Sequence, residues 1–301
     1  VKTLPAYAWI GLLTMVISET LMFLRVEPFW SWHTPIAWTG YILFVDGLVL
    51  VRRGTSWLTN ARSEFIFLAL VSIPLWLVFE FYNLFIHNWQ YINLPEHVFL
   101  RNFGYAWSFA TIWPAIFETS ELVATFRKTR GDDNQLKHDS LAPGSGHLSR
   151  VGWLSIIAGA MMLTWPIVLP SPYLAAPVWL GFIFLLDPLN AWRKAETIGT
   201  QWITPQSKES STLRSALSRR AKDRLINLCV AGLVCGVVWE FWNYWARTKW
   251  IYTVPILPDW KVFEMPVPGY LGFPAFAVEC FTMYVAARYW IWRGPRRPVG
   301  L

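Results

Sequence analysis

Two short stretches decide how this chain is read: Phe79-Glu80-Phe81-Tyr82-Asn83 and Trp239-Glu240-Phe241-Trp242-Asn243. Each sets a carboxyl group inside an apolar run long enough to cross a bilayer, which takes about 20 helical residues. Each also sets an amide three residues after the acid, on the same helical face. The likeness spreads outward from both. Trp89-Gln90-Tyr91 follows the first stretch and Trp250-Ile251-Tyr252 the second. Phe103-Gly104-Tyr105 then answers Pro268-Gly269-Tyr270, and Trp113-Pro114-Ala115 answers Phe273-Pro274-Ala275. Upstream, the nine residues from Trp38 to Asp46 align without a gap on Trp179 to Asp187, with Arg52 falling on Arg193.

Eight apolar runs are long enough to span: residues 5–25, 33–51, 64–86, 104–126, 151–169, 172–192, 223–246 and 269–292. Pro74, Pro114, Pro166 and Pro274 fall inside them, which membrane helices tolerate because neighbours re-satisfy the freed carbonyls. The first run has no small-residue cleavage site after it and reads as a transmembrane helix rather than a removed signal. Four spans per half is an even number, so the halves point the same way, as parallel repeats about an axis along the membrane normal. The expected fold is an all-α polytopic membrane protein of about eight transmembrane helices in two parallel four-helix repeats. Residues 1–130 form the first repeat, 131–149 a cytoplasmic linker and 150–301 the second repeat, with a basic cytoplasmic loop over 193–222.

Composition agrees with a chain in lipid. Hydrophobic residues are 54% and charged ones 15%, against about 45–50% and about 25% in soluble domains. Trp, Phe and Tyr together make 17%, the residues that collect at membrane–water interfaces. The net charge of +7 would suit nucleic acid if it were clustered on a soluble face. Instead 21 of the 26 Lys and Arg fall on the side of the N-terminus and alternate loops. Arg25, Arg101, Arg247, Lys249 and Lys261 are left for the other side. That bias puts both termini in the cytoplasm, in what reads as a bacterial cytoplasmic membrane, and explains the charge without nucleic acid. The expected partners are membrane lipids and a lipophilic small molecule. Ser211 to Arg224 reads as a basic helical extension of the seventh span against anionic lipid. Cys229, Cys235 and Cys280 lack the spacing of a metal site or redox pair and read as small buried side chains.

Chemistry points to the acids within spans, since a carboxylate at mid-bilayer costs about 2.5–3.5 kcal/mol even on the gentle insertion scale. They are Glu19, Asp46, Glu80, Glu118, Glu121, Asp187, Glu240 and Glu279. Glu80 with Asn83, and Glu240 with Asn243, lie towards the extracytoplasmic ends of the third and seventh spans. A Glu in apolar surroundings can donate a proton, with the Asn fixing its orientation; the plainer reading is hydrogen-bonded glue between helices. Glu118 and Glu279 follow the Trp-Pro and Phe-Pro kinks and sit deep. Asp46 and Asp187 are secondary candidates, for which an ion pair with Arg52 and Arg193 is the simpler account. Loops 87–103 and 247–268 are rich in Trp, Tyr, Pro, Ile and Phe. Such segments lie in the interface, where they anchor the protein or roof a cavity. His33, His87 and His97 are assigned to the outer face, no metal-ligand spacing is found, and neither metal nor cofactor is expected.

The series acid, Trp-x-Tyr, Pro, carboxylate resembles the small integral-membrane lycopene cyclase domains, carotenoid cyclases built as two similar halves. Its members here are Glu80, Trp89, Tyr91, Pro114 and Glu118, then Glu240, Trp250, Tyr252, Pro274 and Glu279. The resemblance covers about a third of the chain. The first acid is Glu where that family has Asp, the spacing from Pro to Glu is longer, and each half has four spans rather than about three. The resemblance implies a cofactor-free cyclase, isomerase or hydratase: an acid protonates an alkene, aromatic rings shield the carbocation, and a base removes a proton. It implies catalytic roles for Glu80, Glu118, Glu240 and Glu279 and substrate binding by Trp89, Tyr91, Trp250 and Tyr252; helical spacing adds Asn83 and Asn243 to the catalytic candidates, and the repeat adds Tyr105 and Tyr270 to the binding ones. Two other readings stay open beside this enzyme: a proton-coupled transporter or channel built from parallel repeats, and a pigment- or lipid-binding subunit of a membrane complex.

Overall fold

The computed structural model describes residues 3–127, 147–202 and 211–291. Most of the expected linker and part of the 193–222 loop lie outside these residues. The chain runs α1 (Ala6–Phe23), α2 (Phe29–Arg53), α3 (Trp57–Asn60), α4 (Arg62–Ile86), β1 (Trp89–Ile92), α5 (Val98–Phe126), α6 (Arg150–Val168), α7 (Ala175–Trp192), α8 (Ser211–Trp245), β2 (Lys249–Tyr252), β3 (Lys261–Val262), β4 (Met265–Pro266), a 3₁₀ turn (Val267–Leu271) and α9 (Gly272–Ile291). Among the described residues, seven helical segments are long and apolar enough to cross a membrane. The protein is an integral-membrane helical bundle.

The fourth expected span, 104–126, corresponds to α5 and is not among those seven. At 29 residues α5 is about 43 Å long at 1.5 Å per residue, ample for the about 30 Å of a bilayer core. Its composition is what differs. Every residue from Thr111 to Glu121 is buried, so this segment is surrounded by protein on all sides. A helix shielded from lipid can carry Thr111, Glu118, Thr119, Ser120 and Glu121, which a lipid-facing helix cannot. α8 is a single helix of 35 residues, so the basic stretch expected over 211–224 continues the span without a break.

Small residues set the closest crossings. A Cβ on Gly11 of α1 would lie 2.5 Å from the Gly40 carbonyl of α2, and one on Gly40 would lie 2.7 Å from the Gly11 carbonyl. Likewise a Cβ on Gly159 of α6 would lie 2.8 Å from the Gly181 carbonyl of α7. Membrane helices gain most of their association from such close backbone packing, because lipid tails leave little hydrophobic drive between them. α5 packs on α2 and α4, and α9 packs on α7 and α8. Trp113 of α5 ties these groups together, its indole N–H donating to the Cys280 carbonyl of α9 at 2.9 Å. The Pro114 kink is bridged from α4. The Ser72 hydroxyl donates to the Phe109 carbonyl and accepts from the Trp113 amide at 3.3 Å, standing in for one rung of the helical ladder.

The outer loops are more ordered than interfacial anchors need be. His87 caps α4 in the left-handed region at φ 48°, its amide donating to the Asn83 carbonyl, and this turn sends the chain into β1. β1 pairs antiparallel with β2, Trp89 opposite Tyr252 and Tyr91 opposite Trp250. Within this helical architecture a four-residue ribbon joins residues about 160 apart in sequence. Side chains alternate across a strand, so the four aromatic residues share the face turned into the bundle while Gln90 is exposed.

Candidate functional site

Beneath the ribbon lies a cavity of about 490 Å³, walled largely by aromatic side chains. Trp89, Tyr91, Trp250 and Tyr252 form its ribbon side; Trp38, Trp76, Trp179, Trp239 and Phe276 form much of the rest. The rings pack edge-on, tilted or stacked: Trp76 is edge-on to Phe276 at 5.7 Å, and Trp179 stacks on Phe79 at 5.0 Å. Such offset contacts are the favoured geometry for aromatic pairs. The volume falls within the usual range for small-molecule sites, about 300–1,000 Å³.

Each half contributes a phenol bonded to a glutamate. In the first, Glu80 Oε1 accepts from Tyr91 Oη at 2.6 Å, Trp76 Nε1 at 2.8 Å and Trp89 Nε1 at 3.2 Å. In the second, Glu240 Oε1 accepts from Tyr252 Oη at 2.8 Å, and Trp250 Nε1 donates to that same phenol at 2.9 Å. Glu240 is fully buried, and its Oε2 has no hydrogen-bond partner among the described residues. Trp76 stands four residues before Glu80, where the second half has Gly236. An indole at i−4 from an acid was therefore a readable signal that the motif search passed over. Burial, and next the neighbouring Glu80 and Glu240, push the Tyr91 and Tyr252 phenols well above their ordinary range. Both remain neutral donors at physiological pH.

The asparagines do a different job from the one expected of them. Asn83 Oδ1 accepts from the amides of Asn88 and Trp89, and its Nδ2 donates to the Trp89 carbonyl at 2.8 Å. Asn243 accepts from the Trp250 amide at 2.9 Å and donates to the Trp250 carbonyl at 2.8 Å. Each amide therefore clamps a strand to its helix and orients the glutamate only through the Trp and Tyr that the strand carries.

Glu118 and Glu279 lie one turn deeper than Ala115 and Phe276, which line the cavity. Glu279 Oε1 accepts from the Phe182 amide of α7 at 3.1 Å, and both oxygens of Glu118 are buried without partners among the described residues. None of the four glutamates lines the cavity; all stand one layer behind its wall. Tyr105 lines it, edge-on to Tyr91 at 5.2 Å. Tyr270 does not; its phenol donates to the Val262 carbonyl at 3.0 Å and holds the β3–β4 hairpin.

The aspartates hold neighbouring segments: Asp46 joins α1 and α3 to α2, and Asp187 holds the segment after α7. Asp46 accepts from Tyr7 Oη at 2.6 Å and the Leu58 amide at 3.0 Å, while Arg52 turns to Thr125 and lies over the Phe126 ring. Asp187 accepts from Trp202 Nε1 at 2.6 Å and the Ile198 amide at 3.0 Å. The expected pair of Asp46 with Arg52 gives way to the Leu58 amide of α3, which is fixed 12 residues on and compensates the burial of the acid. Glu121 pairs with Arg53 and accepts from Trp57 Nε1. His33, in the first turns of α2, is buried between Ser18 at 2.9 Å and Glu19 at 3.3 Å on α1. The sequence search missed Glu64, which pairs with Arg288 and accepts from Tyr284 across α4 and α9. Comparison with known proteins finds no matching family model, no matching characterised protein and no matching solved structure.

Proposed function

We propose that this chain is an integral-membrane enzyme performing acid–base chemistry on a lipophilic, isoprenoid- or carotenoid-like molecule held between two parallel halves. The carrying observation is the aromatic chamber bordered by two neutral phenols, each bonded to a carboxyl group. In the proposed turnover the Glu240 proton passes to Tyr252 as Tyr252 gives its own to an alkene carbon; between turnovers Glu240 regains a proton and Glu80 loses one by exchange with water. The carbocation so formed meets the faces of the surrounding indoles, which stabilise cations. A proton lost from a neighbouring carbon passes through Tyr91 to Glu80. One proton enters the substrate and one leaves, so the change is an isomerisation or cyclisation at constant mass. The resemblance to the two-half lycopene cyclases supports the same chemistry.

The ribbon register supports the parallel halves. Exchanging the halves turns the pair Trp89–Tyr252 into Trp250–Tyr91, which is the other aromatic pair of the same ribbon. The bias of Lys and Arg supports cytoplasmic termini. A second reading, a lipid- or pigment-binding subunit, is favoured by one fact: no glutamate reaches the chamber surface. Lipid extracts of a host with and without the gene discriminate the two. The enzyme reading expects a lipophilic species converted to an isomer of equal mass. Unchanged extracts, with a lipid co-purifying on the protein, would overturn it in favour of the binding subunit.

A further inference from the structure

The chamber is apolar along most of its depth but not at one end. Its α5 wall is a single helical face, Arg101, Tyr105, Ser108, Ile112 and Ala115, running from the first turn of the helix about 21 Å inward at 1.5 Å per residue. The charge stands at the outer end. Leu100 and Leu271 line the same end and are 43% and 78% exposed, so the chamber meets its surroundings there. The other cation of the lining, Lys249, is held by Glu264 at 2.6 Å. Arg101 forms no ion pair among the described residues; Glu96, the nearest acid in sequence, is exposed and outside the lining.

A second observation falls at that level. Thr34 lines the chamber, and its hydroxyl is buried without a hydrogen-bond partner among the described residues. Trp32, two residues earlier, packs on Phe103 and Trp107 of α5 at 5.4 and 5.9 Å, which sets this turn of α2 at the depth of the first turns of α5. The amides of the first turn of α5 add positive potential to the same place. A lone guanidinium and a free hydroxyl at the rim of an aromatic chamber match a molecule with one anionic end and a long apolar body.

We propose that the chamber takes an anionic amphiphile, a lipid or isoprenoid ending in a carboxylate or phosphate, with its head on Arg101 and Thr34 and its chain towards Ala115. This rests on reading the chamber as the lipophilic site, and it narrows the class of molecule held there. A guanidinium binds both kinds of anion through paired, charge-assisted hydrogen bonds, so the two heads share one site.

The test uses the purified full chain in a nonionic detergent and reads quenching of its Trp fluorescence by dibromostearic acid and by the methyl ester of that acid. The ratio of the two dissociation constants in wild type is compared with that in Arg101→Gln and Arg101→Lys, which cancels partition into micelles. The wild type is expected to prefer the acid. Arg101→Gln should lower that preference about tenfold, the worth of roughly 1.4 kcal/mol, leave ester binding unchanged, and be rescued in large part by Arg101→Lys. Dodecyl phosphate should displace the acid from wild type if phosphate heads are accepted; failure to displace restricts the class to carboxylates. An acid-to-ester ratio that Arg101→Gln leaves unchanged would overturn the proposal while ester quenching keeps the chamber reading intact. Absence of saturable quenching by either probe would remove the chamber reading itself.

Discussion

The Tyr252 phenol stands between the Glu240 carboxyl and the chamber, 2.8 Å from Oε1. Any proton moving between that acid and a bound molecule therefore crosses a phenol. Glu80 and Tyr91 repeat the relation at 2.6 Å. The tyrosines, rather than the glutamates, are the groups that face the chamber.

The variant Glu240→Gln keeps an acceptor for Tyr252 but removes the proton source. Turnover of the lipophilic substrate is expected to fall about 10²–10⁴-fold, the usual weight of one acid–base group, with insertion unchanged. Tyr252→Phe should do the same by cutting the relay. Product analysis of host extracts checks both, and a normally active Glu240→Gln protein would end the proposal that this residue is the acid.

Asn243→Ala should act on the ribbon rather than on the chemistry. Asn243 is fully buried, and its loss strands the amide and carbonyl of Trp250, a cost of about 1–3 kcal/mol for each unsatisfied group. Thermal unfolding of the purified protein should register a lower midpoint. Wild-type stability in this variant would show that the strand is held by other contacts.

Glu64 and Arg288 are expected to couple strongly. Their side chains are about nine-tenths buried, and stranding one partner of such a pair costs about 3–5 kcal/mol. Arg288→Met should therefore destabilise more than the double variant Glu64→Leu with Arg288→Met, in which neither member of this pair is left without the other. A double-mutant cycle on thermal midpoints measures the difference.

Alkaline pH should loosen the ribbon. Tyr91 and Tyr252 have folded pKa values above those of the unfolded chain, with burial the first cause. Their contribution is thus fully present below the unfolded value of about 10 and falls as pH rises beyond it. The double variant Tyr91→Phe with Tyr252→Phe should lose less stability between pH 9 and pH 11 (~two units spanning that value) than the parent. Equal losses in both proteins would assign the alkaline effect elsewhere.

Topology reporters placed after Thr55 and after Leu94 should read opposite sides, cytoplasmic for the first and external for the second, given the bias of Lys and Arg. A fusion after Leu301 should read cytoplasmic. An external reading there would make the span count odd and remove the parallel arrangement of halves.

How much of this was legible in the chain differs from residue to residue. Apolar runs alone located the long helices, because crossing a bilayer demands about 20 such residues whatever they pack against. They also located Glu80 and Glu240 beside their Trp-x-Tyr partners, since those lie within 12 residues. The chain's apolar runs also marked α5 as a span, but not that Thr111 to Glu121 is buried on every side, because hydropathy cannot tell a polar helix in water from one wrapped by other helices. Asn83 and Asn243 carried the right type at the right spacing, but an amide serves an acid or a backbone equally well until the strand is in place. The pairing of Trp89 with Tyr252, the chamber, Arg101 at its rim and the joining of Glu64 to Arg288 all unite residues far apart in sequence. Local periodicity holds no information about such contacts. They follow from packing two helical groups against each other, and only tertiary structure decides which faces meet.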